Sequence, residues 1–409
     1  MRRYFLNLHP LRRNIALLLI HNGLQSLIFV IPVIIPYYHD VIGLSFREFL
    51  LGEIVFSAVV ILMEVPAGWL ADTGQRRLVL MAGSLIEMAG FGLWLHADNF
   101  TETLAAQGSL GIGVSLVNGT NTALLFDTLK QYRRQKHFRR IEGLRQGMGF
   151  YCVGCSSLAG GFLYAVDPRL PLTLSLLTFL LAGIAAFLMV EPARARRAER
   201  KHPVRDVVAT IHYAVHGHPA IGALVLFCGI MFGTTQAGFW TQQPYYMARS
   251  IPEHWFGLLA FTGFMLAGLA SQHGHRLERH IPIRSVFISI LAAVSGSYAI
   301  CGFAPGLWAV PFLYTASIAY GFAMPLIQDI INHRIESDRR AGVISTASLS
   351  QRLFFIPIGA TVAQASALYG IDATVAGIGI FLAFSGSLAI AVLIRHGVLA
   401  DGIVDGAKA

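Results

Sequence analysis

The chain has 409 residues, 55% of them hydrophobic and only 13% charged, with a mean hydropathy of +0.60. That balance excludes an ordinary water-soluble domain. The net charge of +9 implies no nucleic-acid partner, because the basic residues are scattered over separate short loops between apolar runs.

Apolar stretches of about 20 residues, the length that crosses roughly 30 Å of hydrocarbon, recur from end to end. They predict twelve spans, at approximately 14–38, 46–70, 77–96, 103–128, 141–165, 171–190, 219–246, 254–272, 282–303, 306–331, 341–368 and 373–394. Backbone at membrane depth must bond within its own segment, and the runs are too long and too evenly apolar for barrel strands, so the spans are helices. Span 1 lacks a small-residue cleavage site after a short apolar core, so it reads as a retained helix and not a signal peptide. With the even-numbered turnarounds and both ends on one side, that side receives 26 basic residues and the other only Arg47, Arg169 and Arg249. The asymmetry predicts both termini in the cytoplasm.

Span 2 ends in Gly68-Trp69-Leu70-Ala71-Asp72-Thr73-Gly74-Gln75-Arg76-Arg77, which reads as a tight cytoplasmic hairpin. Gly68 suits close helix approach, Gly74 the turn, and Arg76 lies four residues after Asp72, within reach of an ion pair. Span 4 closes on Asn118-Gly119-Thr120-Asn121-Thr122-Ala123-Leu124-Leu125-Phe126-Asp127-Thr128-Leu129-Lys130. In span 5, Cys152 and Cys155 read as small packing residues, since a redox pair has no evident use on a helix in lipid. Segment 191–217 is basic and divides the chain into blocks 1–190 and 218–409. Val204, Val207, Val208, Ile211 and Val215 follow helical spacing there, which predicts an amphipathic helix on the inner membrane surface. His212, His216 and His218 cluster in the same segment, either as a metal site or as solvated loop histidines; the latter is favoured, and no metal is assigned. Gly274-His275-Arg276-Leu277-Glu278 after span 8 answers the glycine and acid after span 2, and Leu326-Ile327-Gln328-Asp329 closing span 10 answers Leu124-Leu125-Phe126-Asp127. The two blocks therefore read as a repeat: an all-α membrane protein of two pseudo-symmetric six-helix bundles.

The hairpin after span 2 resembles the G-x-L-a-D-x-x-G-R-[KR] loop of the major facilitator superfamily of secondary transporters. The resemblance extends over nearly the whole chain, though its motifs sit mainly in the first half. It implies alternating access by rocking bundles, with Asp72 meeting a helix N-terminus of the other half, that of span 11, and favouring the outward-facing form. It also implies that spans 1, 4, 7 and 10 line the cavity. The segment 118–130 is similar to a bacterial subgroup that includes drug-efflux-like and siderophore-associated carriers. Two departures weaken drug:proton antiport: Ser115 stands where such antiporters carry an arginine, and Ser156-Ser157-Leu158-Ala159-Gly160-Gly161 replaces G-P-x-x-G-G, keeping the glycine pair but losing the proline.

Charges at membrane depth are costly and so are functional candidates. Glu87 lies ten residues into span 3, about 15 Å at 1.5 Å per residue, and is either a proton carrier or a structural glutamate. Arg352, about eleven residues into span 11, cannot lose its proton and must face a carboxylate, water or an anionic substrate; an acid such as Glu87 is one possible partner. Glu53 lies nearer the outer side of span 2. Asp127 and Asp329 at the inner ends of spans 4 and 10, and Glu142 with Arg145 at the start of span 5, read as gate or anchoring charges. Polar lining candidates are His21 and Gln25 on one face of span 1, Gln236 and Gln243 about Trp240 on span 7, and Tyr320 and Gln328 on span 10, though each is equally able to bond helix to helix. No G-x-x-x-x-G-K-[ST], metalloprotease helix or G-x-S-x-G pattern occurs, which argues against an ATP-driven pump or an enzyme. The expectation is a monomeric, cofactor-free secondary transporter of a bacterial inner membrane. It moves a small molecule, with protons as coupling ion and Glu87 as their carrier, by efflux or alternatively by uptake of an organic anion or siderophore.

Overall fold

The computed structural model describes residues 10–192, 213, 217–278, 281–335 and 340–399. The predicted amphipathic segment, with Val204 through Val215, lies outside them apart from Tyr213, as do His212 and His216; the side chains of 275–278 are also outside. His218 accepts or donates a 2.7 Å hydrogen bond with the Tyr213 hydroxyl.

Among the described residues ten helices are long and apolar enough to cross a membrane, and no residue is in a strand. One of the ten, Gly342–Arg395, is two spans end to end, because Gly370 breaks the helix with φ 78° and ψ 173°. The remaining predicted crossing, span 4, is divided: helix Phe100–Val117 stops at extended Asn118, and Thr120–Gln131 restarts after Gly119 at φ 76°. With these two, the ten account for the twelve expected crossings. Unbroken span 4 was the sequence expectation; the left-handed turn at Gly119, open to a residue without Cβ, is why the chain departs from it. Span 1 departs similarly, with helix Pro10–Ser26 followed by the short turns Ile31–Val33, Ile34–Pro36 and Tyr37–Ile42. Leu62, Phe384 and Leu388 are among the apolar side chains left exposed on the spans, as befits surfaces whose solvent is lipid.

The chain divides into two compact units. One comprises Met1–Leu44, Ala58–Pro203 and Glu253–Phe261; the other comprises Ser45–Ser57, Val204–Pro252 and Thr262–Ala409. In the first, span 3 (Arg76–Leu95) packs on spans 4 and 6, and span 1 packs on spans 5 and 6. Its inner core joins Leu17 and Leu18 of span 1, Leu80 of span 3, Leu124, Leu125 and Leu129 of span 4, and Ala186 and Met189. Helices without a hydrophobic drive between them need small residues to interlock, and glycines supply them here. A Cβ on Gly113 would lie 2.8 Å from the Gly83 carbonyl oxygen. The glycine pair of span 5 (Phe138–Val166) serves two neighbours: Gly160 faces the Phe29 carbonyl and Gly161 faces Gly257. In the second unit, span 7 (Pro219–Met247) packs on span 11, with Gly229 and Gly233 under Ser350, Gln351 and Phe354. Span 9 (Ile283–Phe303) packs on span 12 through Gly302, Gly379 and Gly386.

The closest of these approaches makes a direct prediction. A Cβ at Gly160 would stand 1.8 Å from the Phe29 carbonyl oxygen, so Gly160→Ala must push the backbones of spans 1 and 5 apart. Overpacking of this kind costs about 1–3 kcal/mol, and a lowered thermal midpoint of the purified protein measures it. Gly143→Ala, where a Cβ meets nothing within 4 Å, is the control and is expected to be neutral.

Candidate functional site

Three polar assemblies stand out. The first is built on the faces that spans 1 and 3 turn to one another. His21 and Gln25, one helical turn apart, both reach Ser84, three residues before Glu87 on span 3. The Ser84 hydroxyl donates to the Leu80 carbonyl at 2.9 Å, accepts from Gln25 Nε2 at 2.9 Å, and lies 3.1 Å from His21 Nε2. With its own hydrogen committed to Leu80, Ser84 receives the proton of His21 Nε2, which leaves His21 Nδ1 as the bare nitrogen. Gln25 also lies within hydrogen-bonding reach of Glu87. His21, Ser84 and Glu87 are 0%, 0% and 3% exposed. His21 Nδ1 and Glu87 Oε2 are buried with no hydrogen-bond partner. Gly113 on span 4 closes over the Glu87 side chain, since a Cβ there would meet Glu87 Cγ at 2.5 Å. Thus two side chains that can each hold a proton, His21 and Glu87, are linked through Ser84 and Gln25.

Beside it, the Arg145 guanidinium is held by Glu142 at 2.6 and 2.9 Å and by Asn22 Oδ1 at 2.6 Å, while Asn22 Nδ2 donates to the Arg145 carbonyl at 3.0 Å. Thr122, one turn after the break in span 4, donates to Glu142 at 3.1 Å. The expected Glu142–Arg145 pair is therefore part of a cross-helix network that also takes in spans 1 and 4. Asn22 and Thr122 were not singled out in the sequence; a polar residue next to His21 was the available signal.

The second assembly is where spans 2, 4 and 6 end and span 3 begins. Arg76, with its side chain only 7% exposed, pairs with Asp127 in direct contact and with Asp72 at 3.8 Å, and donates to the Ala123 and Ala71 carbonyls at 2.8 and 3.3 Å. Asp127, not Asp72, is its nearer acid. The Glu191 carboxylate accepts the backbone N–H groups of Arg76 and Arg77, each at 3.1 Å. A negative charge at the positive end of span 3 satisfies two donors that a helix start leaves open. Arg77 reaches Gln75 and the Met189 carbonyl. Gly74 is required by its turn, since its N–H bonds the Leu70 carbonyl at 2.8 Å and a Cβ would crowd that same oxygen. Gly68 is exposed, and a Cβ on it would meet nothing within 4 Å, so close helix approach does not account for it here. Glu191 escaped the sequence reading because it follows span 6 at the edge of a basic segment, 115 residues from its partner.

The third assembly belongs to the second unit. Gln351 Nε2 donates to Gln236 Oε1 at 3.1 Å, joining spans 11 and 7. Arg352 stands over the Phe56 ring, 5.4 Å from its centroid, and within electrostatic range of Tyr320. Trp240 packs edge-on against Phe49 and Phe239, each with centroids 5.0 Å apart. Tyr320 and Arg352 are thus brought within range of one another, while Gln236 meets Gln351. Gln243 is buried seven residues further along span 7, and Gln328 and Asp329 lie two turns or more beyond Tyr320 along span 10.

Helical spans that bury ionisable side chains in assemblies such as these define a multi-pass membrane transporter. The sequence pattern of the Major Facilitator Superfamily matches residues 16–360. No curated protein matches the chain. Among solved structures, the nucleoside transporter NupG superposes with a TM-score of 0.75 at 9% identity, over 93% of this chain and 99% of that one. A bacterial homologue of the human lysosomal transporter Spinster gives 0.74 at 16%, over 95% and 99%. The human organic anion transporter MFSD10 gives 0.63 at 14%, over 93% and 100%. At such identities the likeness is one of fold. This chain belongs to the major facilitator superfamily, a family of transporters and not of enzymes.

Proposed function

We propose that the protein is a proton-coupled secondary carrier of the bacterial inner membrane, with both termini in the cytoplasm, that exports a small molecule by alternating access. The halves 1–190 and 218–409 are the rocking bodies and 191–217 their tether. What supports proton coupling is the buried His21–Gln25–Ser84–Glu87 cluster, in which Glu87 Oε2 and His21 Nδ1 have no partner. Ionisable atoms left unpaired at membrane depth are costly, and a group that takes up and releases a proton in turn gives them a use. Glu87 carries the proton. Arg352, Gln236, Gln243, Tyr320 and Gln328 from the second half, with His21 and Gln25 from the first, face the substrate. Asp72, Arg76, Arg77 and Asp127, with the turn at Gly68 and Gly74, form the inner gate; Glu142, Arg145 and Asp329 brace it. The carrier works as a monomer in the bilayer without a cofactor.

Export rests on the likeness of segment 118–130 to an efflux and siderophore-associated subgroup. A second reading, uptake of an organic anion or siderophore, is favoured by Arg352, a permanent cation among aromatic rings. Purified wild type and Arg352→Ala in proteoliposomes with an internal pH dye separate the two. The panel contains lipophilic cations and carboxylate-rich anions, ferric siderophores included. Proton movement with cations, untouched by the substitution, supports efflux. Movement with anions, lost in the variant, supports the second reading. Transport of labelled substrate with no dye response would sink proton coupling itself.

A further inference from the structure

On span 2, Phe49, Glu53 and Phe56 lie at i, i+4 and i+7, so they share one helix face. Both flanking rings have known contacts within the second unit: Phe49 packs on Trp240 of span 7, and Phe56 lies under Arg352 of span 11. Glu53, between them and 7% exposed, therefore points into the same layer as the guanidinium. Arg352 cannot shed its charge, and a half-buried guanidinium in the middle of an apolar helix is stabilised by an opposite charge at hand. The second unit has four acids whose side chains the structure describes. Glu48 is turned to Ser45, whose N–H and hydroxyl it accepts at 2.8 Å. Asp372 pairs with Arg249. Asp329 follows Tyr320, a span 10 residue within electrostatic range of Arg352, by nine residues, or about 13 Å of helix. Glu53 alone of the four stands level with Arg352.

We infer that Glu53 is the intramembrane counter-charge of Arg352. This deepens the reading of Arg352 as the anion-facing residue and rests on that reading only for its consequence in transport: a carboxylate-bearing substrate must displace Glu53 to reach the guanidinium. It also gives Arg352 a partner other than Glu87, the acid that the sequence reading named as one possibility.

The test is a double-mutant cycle on thermal midpoints of the full-length protein in detergent, using Glu53→Gln, Arg352→Gln and the double variant. Removing one member of an intramembrane pair strands the other charge, so each single change is expected to lower the midpoint. The double variant is expected to recover more than half of the loss. Losses that simply add, or a Glu53→Gln protein as stable as wild type beside a weakened Arg352→Gln, would overturn the pairing. If neither single variant can be purified, the double variant and the swapped protein, Glu53→Arg with Arg352→Glu, decide. Recovery of either as folded protein supports the pair, and failure of both overturns it. None of these readouts depends on flux, so the pairing and the transport reading can fail separately.

Discussion

Glu87→Gln is expected to yield a folded carrier that exchanges substrate but no longer moves protons with it. Glutamine keeps the shape of the side chain, which matters because Gly113 of span 4 is packed against Glu87 Cγ. It keeps a hydrogen bond to Gln25 available and forfeits at most one neutral bond, so stability should change by no more than about 1 kcal/mol. What it cannot do is release and rebind a proton. In proteoliposomes, gradient-driven accumulation should fall to background while counterflow of labelled substrate persists. Retention of wild-type proton movement would remove Glu87 from the mechanism and leave His21, linked to it through Ser84 and Gln25, as the next group to replace.

Arg76→Ala should be the most destabilising of the gate substitutions. Its side chain is 7% exposed and serves Asp127, Asp72 and the carbonyls of Ala71 and Ala123 together. Alanine strands Asp127, 22% exposed at its side chain, beside carbonyls of like polarity; breaking such a pair costs about 3 kcal/mol. Arg76→Lys should restore only part of this, because an ammonium can meet Asp127 but cannot fork to both carbonyls. Arg77→Ala removes contacts to Gln75 and the Met189 carbonyl and should cost less than about 1 kcal/mol. Thermal midpoints of the three purified proteins rank them. Equal losses for Arg76→Ala and Arg77→Ala would mean that the Asp127 pair contributes nothing measurable.

The two predictions draw on different kinds of information. Glu87 was legible in the sequence because an acid in the middle of an apolar helix has no inexpensive explanation, whatever surrounds it. Arg76 and Asp72 were legible because four residues is one helical turn. Arg76 to Asp127 was not, since the two are 51 residues apart in the chain.

The sequence by itself determined that this is a helical membrane protein with repeated six-span blocks, and which residues were too polar for their depth. Those conclusions follow from hydropathy, charge and helical period, all of which are properties read locally along the chain. Only the tertiary structure decided which of those residues meet. It placed Ser84 between His21 and Gln25, Glu191 on the N-terminus of span 3, and Asn22 and Thr122 beside Arg145 and Glu142. It broke span 4 at Gly119, inside the polar run Asn118-Gly119-Thr120-Asn121-Thr122, where the backbone turns left-handed. It also grouped residues 45–57 with the second unit and 253–261 with the first, against their order in the chain. Contacts of this kind depend on how close backbones can approach, and that is fixed by glycines such as Gly83, Gly113, Gly160 and Gly257 meeting partners far away in sequence.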